Sequence, residues 1–487
     1  MTDTGRLKAG LGRRTGSLVF GTSRQHDIAP ELELSTTVDL AHVVMLARQG
    51  LLDGLAAAEL LRLITRLREG NFAEVAGRPA PRGLYLMYED FLVAELGART
   101  GGMLHTGRSR NDLKAACTAL RLGRWVREAG EQAVRLQAVL LNRARTFWDA
   151  VMPVHTHFQP AMPITYGYYL AGIAQLLGRD LAALRQAVDG LDRCPMGAGA
   201  VAGTDLPIDP AAVARLLGFA RPAGHALDAV ASRDVPLRVL GAVAGLGVTL
   251  SRLATDLQLW SSAEFGFVTF PERLVGGSSA MPQKRNAFLL EHLKAKAGHA
   301  IGAWTAAAST MKSTPFTNSI ETGTEAVAAI WPGLDAVAEG VLLAQVVASG
   351  ARPMPDRMRA SAERGFVTAT ALANDLVRAG VPFRAAHHLV GAAVRAALER
   401  GGSAVEAADL PQDHRAAVSG RSYDVAAAAE AASFGGGPGA FDEVFAEACR
   451  DWSEHRSWLA AARTAQQTAR EELDMAVAAM MNGETAK

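Results

Sequence analysis

Cysteine, charge of one sign and long apolar runs are all scarce in this chain, and each shortage excludes something. Only three cysteines occur, Cys117, Cys194 and Cys449, too few and too scattered for a disulfide framework or a metal site. Reduced thiols in a cytoplasmic setting are the expectation. Fifty Lys and Arg against 49 Asp and Glu leave a net charge of +1, which gives no electrostatic footprint for nucleic acid. The apolar stretch from Leu237 to Leu250 is too short to span a bilayer, so no membrane partner is expected. The first residues carry Arg6, Lys8, Arg13 and Arg14 without an apolar run behind them, which does not read as a secretory signal.

What the chain does have is length, apolar content and long stretches without proline. Its 487 residues, 49% hydrophobic and 20% charged, suffice for more than one globular domain. No proline occurs between Asn111 and Met152, and Leu113, Ala116, Cys117, Leu120, Leu136, Val139 and Leu140 recur there at helical intervals. Similar runs span Ile164 to Cys194, Leu237 to Phe270 and Gln283 to Thr314. A fifth, Glu321 to about Ala351, is broken only by Pro332, which is expected to kink it. Thirty residues of helix are roughly 45 Å long. Five such helices imply an elongated bundle, and helices apolar on several faces bury the surplus against copies of themselves. The expectation is an all-α homo-oligomer with a mixed helical domain over 1–110, a central long-helix bundle over 111–352 and a small helical domain over 353–487.

The flanking regions are plainer. Asp39 to Leu46 and Ala56 to Leu67 have helical spacing, Arg78 to Gly83 reads as a turn, and Leu84 to Leu96 as a helix. Tyr88 and Glu89 sit side by side with no constellation visible from spacing. Gly380 is a fitting stop for a helix over Thr368 to Ala379, and Pro382 opens the next. Gly435 to Gly439 reads as a loop, followed by helices from Phe441 to about Met481. The His387-His388 pair points its rings about 100° apart on a helix, which favours a structural role over a shared metal ion.

Four polar islands stand at the ends of the long helices. His105-Thr106-Gly107-Arg108-Ser109-Arg110-Asn111-Asp112 opens the first helix, and its guanidinium and N–H donors suit a carboxylate; a charged capping turn is the bland alternative. His155-Thr156-His157-Phe158-Gln159-Pro160 lies between the first two helices, and its paired histidines suit acid–base work near neutral pH. The third island is Leu227 to Asp234, with Arg233. The fourth is Gly276-Gly277-Ser278-Ser279-Ala280-Met281-Pro282-Gln283-Lys284-Arg285-Asn286, read as a mobile Gly-Ser loop that turns into a helix with Pro282 in its first turn. Lys284 and Asn286 would then lie just inside that helix.

Together these strings resemble the argininosuccinate lyase branch of the aspartase/fumarase superfamily. Gly276 to Asn286 resembles its signature loop, His105 to Asp112 its first motif, and Pro153 to Pro163 its histidine segment. Cys194 to Gly203 resembles its glycine-rich connector, Trp260 to Phe267 the approach to the loop, and Gly380 to His388 its C-terminal domain. The resemblance runs from about residue 40 to 450. It implies a three-domain protomer, a twenty-helix core in a homotetramer, and active sites shared between three chains. The implied reaction is β-elimination from an N-substituted aspartate, releasing fumarate without cofactor or metal. By the same resemblance Ser278 is the base, His157 the general acid or its relay, and Lys284 the stabiliser of the aci-carboxylate. Ser109, Arg110, Asn111 and Thr156 would hold carboxylates, with Gln283, Asn286 and Arg233 in support. The alternative is a non-catalytic protein that keeps the fold for a structural or interaction role; loss of Ser278, His157 or Lys284 would favour it, and all three are present.

The resemblance breaks around the leaving group. Family members typically read Tyr-Asn-Lys-Asp and then Gln-Glu-Asp-Lys after the fourth helix, where Thr314 to Glu325 supplies neither that tyrosine, that glutamine nor that lysine. Tyr85-Leu86-Met87-Tyr88-Glu89 stands where His-Met-Asn-Ile-Glu is usual, Ala287 replaces the proline after the loop's asparagine, and the usual tryptophan-containing N-terminal motif is absent. The expectation is retained chemistry with argininosuccinate or, preferably, an analogue carrying a smaller or less basic amine.

Overall fold

The computed structural model describes residues 14–15, 19, 28–421 and 423–484; Arg6, Lys8 and Arg13 lie outside them. The first segment forms helices α1 (Ala29–Arg48), α2 (Gly54–Glu69) and α3 (Leu84–Thr100). Asp53 caps α2 by accepting from the N–H groups of Leu55 and Ala56. Leu40, Val43, Val44, Leu60, Leu61 and Ile64 interlock in a core of their own.

The five long elements follow. Helix α4 (Arg110–Thr146) runs for 37 residues, about 55 Å. It starts where the sequence says it should, at a Ser109–Asp112 capping box, and buries Val126, Ala133, Leu136, Leu140 and Ala144 along one stripe. Helices α5 (Tyr166–Ala187) and α8 (Val327–Gly350) pack against it, α6 (Asp234–Trp260) packs on α5 and α8, and α7 (Phe288–Met311) packs on α6 and α8. Each fully buried Leu or Val of this core, such as Leu293, Leu334 and Val337, contributes about 1.5–3 kcal/mol of burial. Pro332 lies inside α8, and the helix continues through it to Gly350; the departure from α geometry sits upstream, in a π turn at Glu321–Ala326.

Three expectations are corrected here. The stretch from Leu237 to Leu250 belongs to a 27-residue helix, and both α6 and the Glu321–Gly350 run are long and apolar enough by composition to cross a membrane. In these two helices 50% and 56% of the most apolar window is buried inside the fold, so packing in the bundle accounts for their apolar length. The segment between α4 and α5 is an antiparallel hairpin, β1 (Val151–Thr156) and β2 (Gln159–Thr165), where the sequence suggested only a connection. Finally, the loop around Ser278 does not turn into a helix at Pro282. Gly276 and Asn286 exchange both backbone hydrogen bonds, at 2.9 and 2.8 Å, which requires extended chain at residue 286 and delays the helix to Phe288.

Beyond α8, a smaller core gathers Leu372, Leu376, Ala386 and Val390 from Ala369–Arg378 and α9 (Phe383–Glu399). Gly380 takes φ +91° after the first of these, as its sequence position suggests. The last helix, α10 (Phe441–Met481), returns to pack on α4, α5 and α2.

Candidate active site

The first island is built around the start of α4. The Asp112 carboxylate accepts from the N–H of Ser109 at 2.9 Å and from those of Gly197 and Gly199 at 3.2 and 2.9 Å. Gly197 and Gly199 have φ +94° and +61°, a left-handed path that only glycine follows without strain. Burial pushes Asp112 above the usual carboxylate range against these three N–H groups. Asn111 donates from Nδ2 to the Ala200 carbonyl at 3.1 Å, so island and glycine connector form one unit. Ser109 and Asn111 are half-buried and Arg110 is exposed. Arg108 is not available for substrate. Its side chain is fully buried and donates to Asp39 at 2.6 Å and to the Tyr85 hydroxyl.

Sequence reasoning missed these supporting residues. His42 donates from Nε2 to the Thr106 carbonyl at 2.9 Å, and His105 meets Glu89 at 3.0 Å. Burial, reinforced by Arg108, holds the His42 imidazole well below its ordinary range and therefore neutral. Burial works against the Glu89 carboxylate too, but its bond to His105 together with the positive charges of His105, Arg108 and Arg110 outweighs it and holds the group below the usual range. Asp39 stands as a charge beside Val38, Leu40, Ala41, Val43 and Val44, a local signal of a buried carboxylate that does not by itself name its partner.

The second island caps the β1–β2 hairpin. His157 and Phe158 form its tip with φ +53° and +61°, a left-handed region that histidine tolerates better than a bulky residue such as phenylalanine. Such a two-residue turn pushes Thr156, His157 and Phe158 into solvent, and all three are exposed. His155 faces back instead, with its ring 5.5 Å from Phe265 and 6.2 Å from Phe267, and burial lowers its titration range. The turn residues at this tip are not Asn-Gly, which is why the hairpin was not legible.

Arg233 anchors the third island. It is 6% exposed, and its Nη1 donates to the carbonyls of Val230 and Ser232 at 2.9 and 2.6 Å. Its Nε is buried without a partner, and burial pulls the guanidinium down to about 10. A Cβ placed on Gly323 would lie 4.0 Å from its Nη2, so the π turn and the Thr314 to Glu325 segment run beside this cation. A buried guanidinium with a spare N–H suits an incoming anion.

In the fourth island the Gly276–Asn286 pair closes a loop whose tip faces solvent. The Ser278 Oγ accepts from the N–H groups of Ala280 and Met281 at 3.3 and 3.1 Å, an arrangement that favours negative charge on that oxygen. Gln283 and Lys284 are exposed, and the Lys284 N–H donates to the Met281 carbonyl at 3.1 Å. Asn286 donates to Gly277 at 3.4 Å, and Arg285 reaches the Phe270 carbonyl at 3.0 Å.

Within one chain these four units do not meet. Among the described residues no hydrogen bond or ion pair joins one island to another, and no group of three or more His, Cys, Asp or Glu that could hold a metal occurs. A groove of about 670 Å³ along Gly380, Pro382, His388 and His414 contains none of the island residues, whereas a smaller cleft is lined by Asp228, Ser232, Arg233 and Asp234 of the third.

Comparison with known proteins agrees with the motifs. A lyase family profile matches residues 87–302, and an argininosuccinate lyase C-terminal profile matches 366–433. The argininosuccinate lyase of Methanoculleus marisnigri is 39% identical over 359 residues, 74% of this chain and 73% of that protein. Argininosuccinate lyase 1 of Shouchella clausii is 33% identical over 398 residues, 82% and 80% of the two chains. EDDS lyase in complex with formate superposes with TM-score 0.83 at 28% identity, covering 93% of this chain and 92% of that one. A variant of EDDS lyase with bound fumarate gives the same TM-score at 26% identity, covering 99% and 98%.

Proposed function

The chain belongs to the argininosuccinate lyase branch of the aspartase/fumarase superfamily, and on that premise we propose how its residues carry the reaction. It is a carbon–nitrogen lyase that releases fumarate from an N-substituted aspartate. In our reading Ser278 removes a proton from the carbon beside the substrate's β-carboxylate. The electron pair left behind expels the nitrogen, and His157, directly or through a relay, supplies the proton that nitrogen takes. Fumarate and an amine-bearing fragment result. A serine hydroxyl is a poor base, so its oxygen needs help once deprotonated. The observation that carries this reading is the pair of N–H groups already aimed at the Ser278 Oγ. Lys284 adds positive charge for the aci-carboxylate. Ser109, Arg110, Asn111 and Thr156 hold carboxylates, with Gln283, Asn286 and Arg233 assisting.

The same reading makes the protein a cytoplasmic homotetramer whose sites each draw on three chains. The separation of the islands in one chain supports it. So do Val248, Leu259, Ile301, Trp304, Leu342 and Val346, which leave 36–49% of their surface exposed on α6, α7 and α8. For the leaving group we propose an amine smaller or less basic than arginine. The segment from Thr314 to Glu325 offers Phe316 and Ile320, each 62% exposed, where the family's tyrosine, glutamine and lysine are missing. A panel of argininosuccinate, other N-substituted aspartates, adenylosuccinate and aspartate, followed by the ultraviolet absorbance of fumarate, tests this. Argininosuccinate turnover at roughly 10⁴ M⁻¹s⁻¹ or more would overturn the leaving-group reading, and no fumarate from any member would overturn the reaction.

A further inference from the structure

The turn that presents Ser109, Arg110 and Asn111 is held from two sides. On the side of the glycine connector, Asp112 ties it to Gly197 and Gly199. On the other side, helices α1 and α3 grip the residues just before it. His42 of α1 holds the Thr106 carbonyl, Glu89 of α3 holds His105, and Asp39 of α1 together with Tyr85 of α3 holds Arg108. The Arg108 guanidinium is the centre of this grip. Neither it nor Asp39 has any side-chain surface exposed, and the Tyr85 ring lies 5.6 Å from the guanidinium carbon. A cation sealed from water depends on every partner it has, because none can be replaced by solvent. Here the partners are few. Among the described residues the Arg108 Nε is buried without a bond, as is the second Asp39 oxygen, and the Tyr85 hydroxyl is one of two side-chain acceptors on the guanidinium.

We propose that Tyr85 is a positioning residue for fumarate binding: by accepting a hydrogen bond from buried Arg108, together with Asp39, it fixes the turn that carries Ser109, Arg110 and Asn111. The inference rests on the reading that this turn holds a carboxylate. Tyr85 touches no substrate in it and acts through Arg108, one residue before Ser109. It also gives a reason for the tyrosine at a place where the family usually has histidine. A phenol accepts from a guanidinium while its ring covers the charge, and the Asp39 carboxylate beside it (3.5 Å away) completes the pair.

The test is the dissociation constant of fumarate, titrated by calorimetry against the full-length protein and its variants well below their melting temperatures. Tyr85→Phe removes only the hydroxyl. The expected result is fumarate binding weaker by about tenfold, since a loosened turn costs ground state and transition state alike, with helix content by circular dichroism unchanged. Tyr85→His, which can still accept through a ring nitrogen, should recover most of that loss. Unchanged fumarate affinity in Tyr85→Phe overturns the proposal, even if its melting temperature falls, because that is what a purely structural tyrosine would do. If Tyr85→Phe does not fold, Tyr85→His carries the test alone, and affinity within twofold of the parent is expected; a tenfold loss there would overturn it. Ser109→Ala separates the two levels. If it weakens fumarate and Tyr85→Phe does not, only the positioning role falls; if Ser109→Ala has no effect, the carboxylate reading of the turn falls first.

Discussion

At the scale of single residues the account rests on Ser278, His157 and the buried groups behind Ser109. Ser278→Ala should lower kcat by about 10³-fold, the range of a lost acid–base group, measured as fumarate absorbance; a change of only a few fold would remove Ser278 from the role of base. The rate should be bell-shaped in pH, and His157→Asn should remove one limb of the bell. An unchanged profile would move the acid role elsewhere, and His155, packed on Phe265 and Phe267, would have to leave those rings to take it. Burial makes His42 a stability group as well. Its range is depressed in the folded state, so its contribution is full above the unfolded value near 6.5 and is lost as pH falls toward the folded value. Urea unfolding should therefore show stability falling by up to about 1.4 kcal/mol per pH unit below that point, and His42→Gln should flatten that slope. Equal slopes in both proteins would contradict it. The residues proposed to touch substrate, such as Thr156, His157 and Ser278, could be named from the sequence because their types are dictated by the chemistry. Asp39, Tyr85 and Glu89 could not, because each acts through a partner between 16 and 69 residues away, and no spacing rule reaches that far.

At the scale of elements, proline-free runs marked the five long helices, and a cap marked the start of α4, because helix formation is a local matter of propensity and capping. Their ends were less legible. The start of α7 depends on a pairing between Gly276 and Asn286 that lies outside the helix, and the hairpin depends on prolines at Pro153, Pro160 and Pro163 tolerated at the edge of a two-stranded ribbon. Helix crossings make a sharper prediction. A Cβ on Gly167, at the start of α5, would come within 2.4 Å of the Ala144 carbonyl and 2.6 Å of the Trp148 Cα, whereas one on Gly172 would meet nothing within 4 Å. Gly167→Ala should destabilise by about 2 kcal/mol or more, and Gly172→Ala should be neutral or stabilise by up to about 1 kcal/mol. Chemical denaturation of the two variants side by side checks this, and equal effects would contradict the close α4–α5 approach.

At the scale of the whole molecule, the apolar faces left on α6, α7 and α8 and the four islands that never meet point the same way. The number of long helices and their surplus of apolar residues support the assembly we propose; they do not say which islands would face each other, since contacts between chains leave no periodicity in one chain. The central claim is that Ser278 and His157 serve one site from different subunits. It is tested by mixing inactive Ser278→Ala and inactive His157→Ala proteins, dissociating and reassembling them, and following fumarate release. The account predicts that activity reappears in the mixture, because some sites combine an intact Ser278 loop with an intact His157 hairpin. Verified mixed tetramers that stay inactive, or a dilute monomer that remains fully active, would contradict it.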